Sequence, residues 1–474
     1  MSRIDDLLSQ MTLDEKISML AGADLWHSVP IPRLGIPQFK TTDGPNGARG
    51  AWGSMSSPSV ATPIGAALGA TWNPDLVEKV GSVLADELKA KGSHILLAPT
   101  VNIHRTPIAG RNFECYSEDP FLSGMIASAY IKGIQDHGVG ACIKHFIAND
   151  QEFERFSISS EVDERTLREI YLEPFRLAIR KSDPWAVMSS YNRVNGTYAC
   201  ENDLFLLEIL KGEWNYKGIV MSDWFGTYDE AVPTSGLDLE MPGPARWMSN
   251  EVVKKALENG TLPQELLDDK VRRLLGVLEK AGLFENPTLN VEKSENKPEH
   301  RKIIRQAAQE AIVLLKNDGS LPLKKAVRSI AVIGPYANKA QILGGGSSSV
   351  TPHYVITPFD GIRNRAGNKV KVDTAPGCFI HKNLPAPVPE TLSTADGHLG
   401  LNLSIFNGTE FSGPAVYTDV TPRVQHGWFY LSVPNADQES FSVRMEGFFT
   451  PKESGIHTLG LFAVGWGKLY LDGK

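Results

Sequence analysis

Asp223 and Trp224 stand directly after the apolar run Ile219-Val-Met221, with only Ser222 between. A short apolar run between polar flanks reads as a buried strand. An acidic side chain leaving such a strand is placed to act as a nucleophile. The indole beside it is suited to carry a pyranose ring. The competing reading is that Asp223 only caps the turn that follows. Four further groups occupy comparable positions: Asp43 in Thr41-Thr-Asp-Gly-Pro-Asn-Gly47, Arg111 in Gly110-Arg-Asn-Phe-Glu114, Lys144 with His145 after Gly140-Ala-Cys-Ile143, and Met188 with Tyr191. Such a set suits retaining glycoside hydrolysis, which needs a carboxylate nucleophile close to a second carboxyl acting first as acid, then as base. It also needs charged groups to grip hydroxyls. Asp43 is able to chelate two adjacent hydroxyls. Arg111, Lys144 and His145 are able to do likewise while holding Asp223 ionised.

Each residue also has a plainer explanation. Lys144 and His145 read equally as a surface pair for Glu152 and Glu154, and Arg111 as a rim ion pair with Glu114, Glu118 or Asp119. Met188 and Tyr191 are of types found more often in a core than in a site. Trp26 and Trp52 suit either an outer sugar subsite or ordinary packing.

Positioning these groups requires a regular scaffold. Residues 4–20 carry an amphipathic helix pattern, with a Thr12/Glu15 capping box for its second half. Helices are expected near 75–91, 122–137, 163–181, 203–211, 250–260 and 263–280, with Pro174 kinking or splitting the third. Between them lie apolar runs at Ile95–Pro99, Gly140–Ile143, Ala186–Met188 and Ile219–Met221, and a short candidate at Leu237–Met241. Strands alternating with helices over about 280 residues imply a parallel α/β unit, of the size of a (β/α)8-type barrel. In a barrel the strand exits converge on one face, so polar groups at 43, 104–111, 144–145, 188–192 and 223–224 share a phase.

Residues 285–300 read as a linker, giving a first domain over 1–284. The first part of an α/β/α sandwich domain follows over 301–394. It has a helix to Ala311, an apolar run Ile312–Leu315, strands at 330–333 and 370–372, a helix near 358–365, and a glycine-serine loop, Gly344–Ser349. GxGxxG is absent, which puts a dinucleotide site well below a structural or substrate-contacting loop. From 395 to 474 the texture is that of an incomplete β-sandwich module, with strands expected at Phe441–Gly447, His457–Val464 and Leu469–Asp472. Asp472-Gly-Lys474 has the look of a hairpin turn, so a longer protein is expected.

The composition is that of an ordinary globular chain: 474 residues, 42% hydrophobic, 22% charged, net charge -7. That charge, with no Lys/Arg cluster, argues against a nucleic-acid partner. No apolar run is long enough to span a bilayer, so no membrane partner is expected. Cys115, Cys142, Cys200 and Cys378 lack CxxC spacing and read as buried free thiols. The histidines form no ligand pattern, and HExxH and GxSxG are both missing, so no metal, no other cofactor and no serine triad are expected. The N-terminus lacks the regions of a signal peptide, which makes the cytoplasm the expected compartment. The subunit count is left open, a homo-oligomer included.

The motifs Thr42-Asp43-Gly-Pro-Asn-Gly, Gly110-Arg-Asn-Phe-Glu-Cys-Tyr-Ser-Glu-Asp-Pro120, Lys144-His145-Phe, Met188-Ser-Ser-Tyr-Asn192 and Val220-Met-Ser-Asp-Trp224 resemble, in order, those of glycoside hydrolase family 3. They look most like its β-glucosidases, over about residues 5–390. The resemblance implies a barrel-like domain, an α/β/α sandwich interrupted by a protective-antigen-like β-sandwich, and a double displacement on terminal β-glucosyl residues. It places Asp223 on the nucleophile, and Asp43, Arg111, Lys144, His145, Met188 and Tyr191 on glucose-binding positions. It matches the Gly344–Ser349 loop, with Ser347, to one that reaches over the site, and gives Trp224 a place beside the sugar. The N-acetylglucosaminidase branch is disfavoured, because Phe146 is followed by Ile147-Ala-Asn-Asp150. The family's acid/base glutamate is expected beyond Lys474, so no residue here takes that role. A β-xylosidase, or a sugar-binding protein without its acid, stands as the alternative.

Overall fold

The computed structural model describes residues 2–50, 56–288, 290–378, 380, 384–427, 433 and 435–474. By internal contacts these fall into two units, Met1–Val332 with Tyr336–Thr374, and Ile333–Pro335 with Ala375–Lys474.

A curled parallel sheet organises the first unit. Its strands are β1 (Thr41–Asp43), β2 (Ile95–Leu97), β3 (Gly140–Phe146), β4 (Ala186–Ser189) and β5 (Ile219–Ser222), hydrogen-bonded in that order. Every residue in them is buried. A parallel strand covered on both faces has no reason to alternate, which is why these segments read as unbroken apolar runs. Single bridges carry the curl onward: Met221 with Leu239, Glu240 with Ala21, Gly22 with Ser28, and His27 with Lys40, the residue before β1. The α/β barrel expected from the sequence is therefore present, built from five regular strands and a series of bridges in place of eight equal repeats.

The helices follow local signals. Ser2 and Thr12 each head a capping box, and the pattern over residues 4–20 resolves into two helices, Arg3–Gln10 and Leu13–Ser18. Asn73 caps Pro74–Ala90 and Asp119 caps Pro120–Gln135. These two helices touch where Gly81 meets Gly133: a Cβ on Gly81 would lie 2.9 Å from the Gly133 Cα. Pro174 splits its segment as expected. A turn at Glu164–Thr166 and a wide five-residue turn at Leu167–Tyr171 precede the helix Glu173–Ser182, whose first turn holds the proline. There the missing N–H costs nothing.

Residues 290–297 lie along the barrel. Lys40 pairs with Glu292 at 3.1 Å, the Lys293 amide donates to the Ala90 carbonyl at 2.7 Å, and the helix Pro298–Glu310 follows. Ser329–Ile333 and Lys371–Ala375 form a two-stranded sheet, and a helix occupies Pro358–Ala366. The apolar run Ile312–Leu315 forms no strand, and its side chains are 59–92% exposed.

In the second unit, Leu401–Asn407 pairs antiparallel with both Tyr417–Thr421 and Phe441–Glu446. The expected strands His457–Val464 and Leu469–Asp472 are not formed. Their residues are exposed, and no described segment offers a ladder, without which an extended run is not a strand. Cys115, Cys142 and Cys200 are buried free thiols; Cys378, against expectation, is exposed. Among the described residues no helix is long and apolar enough to cross a membrane.

Candidate active site

β1 ends on Asp43, which is 7% exposed. One carboxylate oxygen binds Arg49 Nη2, six residues on, and the other lies 3.9 Å from Lys144 Nζ. Lys144 and His145 come from β3 and are 1% and 2% exposed, which removes the surface-pair reading. Asn102 holds His145 in place: its Nδ2 donates to the His145 carbonyl and its Oδ1 accepts the His145 amide, both at 3.0 Å. Burial first, then the charges of Arg111, Lys144 and Arg155, push the imidazole well below the usual histidine range. His145 is therefore neutral at physiological pH.

Its Nε2 lies 3.6 Å from Asp223 Oδ2. Asp223 follows β5 and is 8% exposed. The Trp224 amide donates to Oδ1 at 2.7 Å, and the Asp223 amide donates to the Ser189 carbonyl at 3.2 Å. Burial pushes this carboxyl up from its ordinary value, against the pull of Arg111, Lys144, the Trp224 N–H and Arg155. These charges reach it from β3 and from other loops.

Tyr191 is buried, and its hydroxyl donates to the Trp224 carbonyl at 2.9 Å. Burial and the Asp223 charge raise its proton affinity. Trp224 is fixed by its own Nε1, which donates to the Leu25 carbonyl at 3.0 Å, and by the Trp26 ring at 5.5 Å. Trp26 is 8% exposed and lies under the Arg49 guanidinium, so packing describes it; Trp52 falls outside the described residues. Met188 pairs in register with Met221 and is buried in the barrel core.

Arg111 binds Glu114 through Nε, as its plainer reading has it, and reaches further. Its Nη1 is 3.9 Å from Glu152, and its Nη2 donates to Ser347 Oγ at 3.3 Å. Arg49 Nη1 donates to the Gly346 carbonyl at 3.4 Å. The loop with Ser347 is thus tied to the same arginines that meet the site carboxylates.

Two arginines of the cluster escape the sequence reading. Arg49 pairs with Asp43; Arg155 lies over the Tyr191 ring at 4.5 Å and binds Glu152 at 2.7 Å. Both lie in loops after β1 and β3, at the phase used for the other residues, and that phase is the signal that reaches them. Among the described residues no cluster of three or more His, Cys, Asp or Glu could hold a metal ion.

The arrangement puts two buried carboxylates, a neutral imidazole, several cations and an indole at the exits of one sheet. Residues 15–277 match the glycosyl hydrolase family 3 N terminal domain, and residues 312–440 its C-terminal domain. A beta-glucosidase of Rhizobium radiobacter is 45% identical over 99% of this chain and 57% of its own length. Beta-glucosidase B of Emericella nidulans is 44% identical over 100% of this chain and 56% of its own. The crystal structure of a beta-glucosidase from Kluyveromyces marxianus in complex with glucose superposes with a TM-score of 0.87 at 38% identity, over 96% of this chain and 56% of that one. The chain thus spans a little over half the length of these relatives.

Proposed function

Because this chain belongs to glycoside hydrolase family 3, we propose that it carries the glucose-binding half of a retaining β-glucosidase acting on terminal β-D-glucosyl residues of oligosaccharides and aryl glucosides. The observation that carries this is the contrast in partners around two carboxylates. Asp43 is ion-paired to Arg49 and Lys144. Among the described residues, Asp223 meets a neutral imidazole, an amide N–H and the Tyr191 hydroxyl at close range, with its cations further off. A carboxylate whose burial is partly offset by a distant field, with no lysine or arginine clamping its oxygens, suits attack on an anomeric carbon.

In this reading an Asp223 oxygen bonds to C1 as the C1–O bond to the leaving group breaks. The leaving oxygen takes a proton from a second carboxyl, which the reading draws from outside these 474 residues. Water then adds to C1 and releases Asp223, so the balance is one water consumed per glucosyl group. Asp43, Lys144, Arg111 and His145 grip the hydroxyls, Ser347 closes over the ring, and Trp224 and Tyr191 shape its surroundings. The glucose in the Kluyveromyces marxianus structure supports the sugar.

The test is to trap the chain with an activated 2-deoxy-2-fluoro-β-glucoside, whose leaving group needs no acid. A label on the Asp223 peptide is expected, with slow turnover of ordinary glucosides. A label elsewhere ends the reading, and faster labelling by the matched xyloside moves it to a β-xylosidase.

A further inference from the structure

Resting on the β-glucosidase reading above, we propose that Phe113 and Gly344 form a seat that sets the Gly344–Ser349 loop at its height over the sugar site and so positions Ser347. A Cβ built on Gly344 would overlap Cε1, Cζ and Cδ1 of the Phe113 ring. The next two glycines are glycine for another reason: Gly345 and Gly346 have φ of +96° and +62°, with nothing near a Cβ. Those two serve the turn's backbone. Gly344 serves close approach, with its bare Cα laid against an aromatic ring.

The ring stands on a fixed base. Phe113 lies inside the turn Asn112–Glu114, between Arg111 and its partner Glu114. Asn112 Nδ2 donates to the Thr106 carbonyl at 2.6 Å, and the Cys115 amide donates to the Asn112 carbonyl at 3.1 Å. From behind, the helix Gly65–Ala70 presses on the same turn, since a Cβ on Gly65 would collide with the Glu114 carbonyl. One turn therefore offers the loop two supports: the ring under Gly344, and Arg111 Nη2 donating to Ser347 Oγ at 3.3 Å, three residues on. The ring fixes height and the guanidinium fixes register. Phe113 is a positioning residue acting through Ser347, and Gly344 is its counterpart.

A double-mutant cycle on the full chain tests this, read by trapping with the activated 2-fluoro-β-glucoside. Gly344→Ala lifts the loop, and Phe113→Ala removes what it rests on. Each is expected to raise KI about tenfold, the scale of one lost hydrogen bond to the sugar, with kinact within about twofold of the parent. Because both act on one seat, the double variant is expected to be no worse than either single, where independent effects would multiply to about a hundredfold. Parental KI in Gly344→Ala, a multiplicative double variant, or a loss confined to kinact would each overturn the proposal. If Phe113→Ala does not fold, Phe113→Leu replaces it with the same expectation of non-additivity. Absence of any Asp223 label in the unsubstituted chain would instead overturn the β-glucosidase reading.

Discussion

β1 ends on a buried carboxylate, Asp43, and β5 is followed at once by another, Asp223, and the barrel treats the two in opposite ways. At the end of β1, Asp43 is clamped by Arg49 from the loop that follows and approached by Lys144 from β3. After β5, Asp223 has no lysine or arginine within ion-pair distance among the described residues; it meets His145, and Arg111, Lys144 and Arg155 act on it from further away. The same functional group serves as a fixed anchor where cations touch it and as a reactive centre where they only supply a field. A contact ion pair occupies lone pairs and fixes geometry. A field lowers the cost of the charge and leaves the lone pairs open.

Neutralising each carboxylate probes that contrast. Asp223→Asn is expected to slow trapping on the order of 10⁴-fold, measured as kinact. It is also expected to raise the thermal midpoint at neutral pH. Burial sets the folded pKa of Asp223 above its unfolded value. The unfolded chain thus loses this proton first as pH rises, so the group destabilises the fold above that range. Removing the charge removes the penalty.

Asp43→Asn is expected to do the reverse. Glucose affinity by calorimetry should fall by about two powers of ten, from two weakened charged contacts. Stability by denaturant titration should fall by about 3 kcal/mol, because Arg49 and Lys144 lose their counter-charge while buried. Stability changes of the same sign in both variants would break the comparison.

Arg155 sharpens it at smaller scale. Arg155→Met removes a guanidinium stacked on Tyr191 and one source of the field at Asp223. Trapping at neutral pH is expected to slow about tenfold, with little change in thermal midpoint, since a half-buried stacked cation with one partner is worth on the order of 1 kcal/mol. The smallest effect is on pH. In the parent chain the acid limb of the trapping rate should fall above the ordinary aspartate value, as burial dictates. In Arg155→Met it should move higher still, because an attracting charge is gone. A limb that stays put would mean Arg155 acts on the ring alone.

Much of this was legible in the sequence because it is local. The capping box at Thr12, the split at Pro174, and the apolar runs that became β2 to β5 each depend on residues within a few positions. So does the phase that sets Asp43, Lys144, His145 and Asp223 at strand exits, since a strand end and its loop are neighbours in the chain. Other features depend on what lies across the fold. Ile312–Leu315 is as apolar as β2 yet exposed, and His457–Val464 alternates like a strand yet has no ladder. That Lys144 approaches Asp43, and that His145 is buried neutral against Asp223, were decided only by tertiary structure. Burial and charge at a side chain are set by distances of a few ångströms between loops some eighty to a hundred residues apart, and no periodicity within one loop records them.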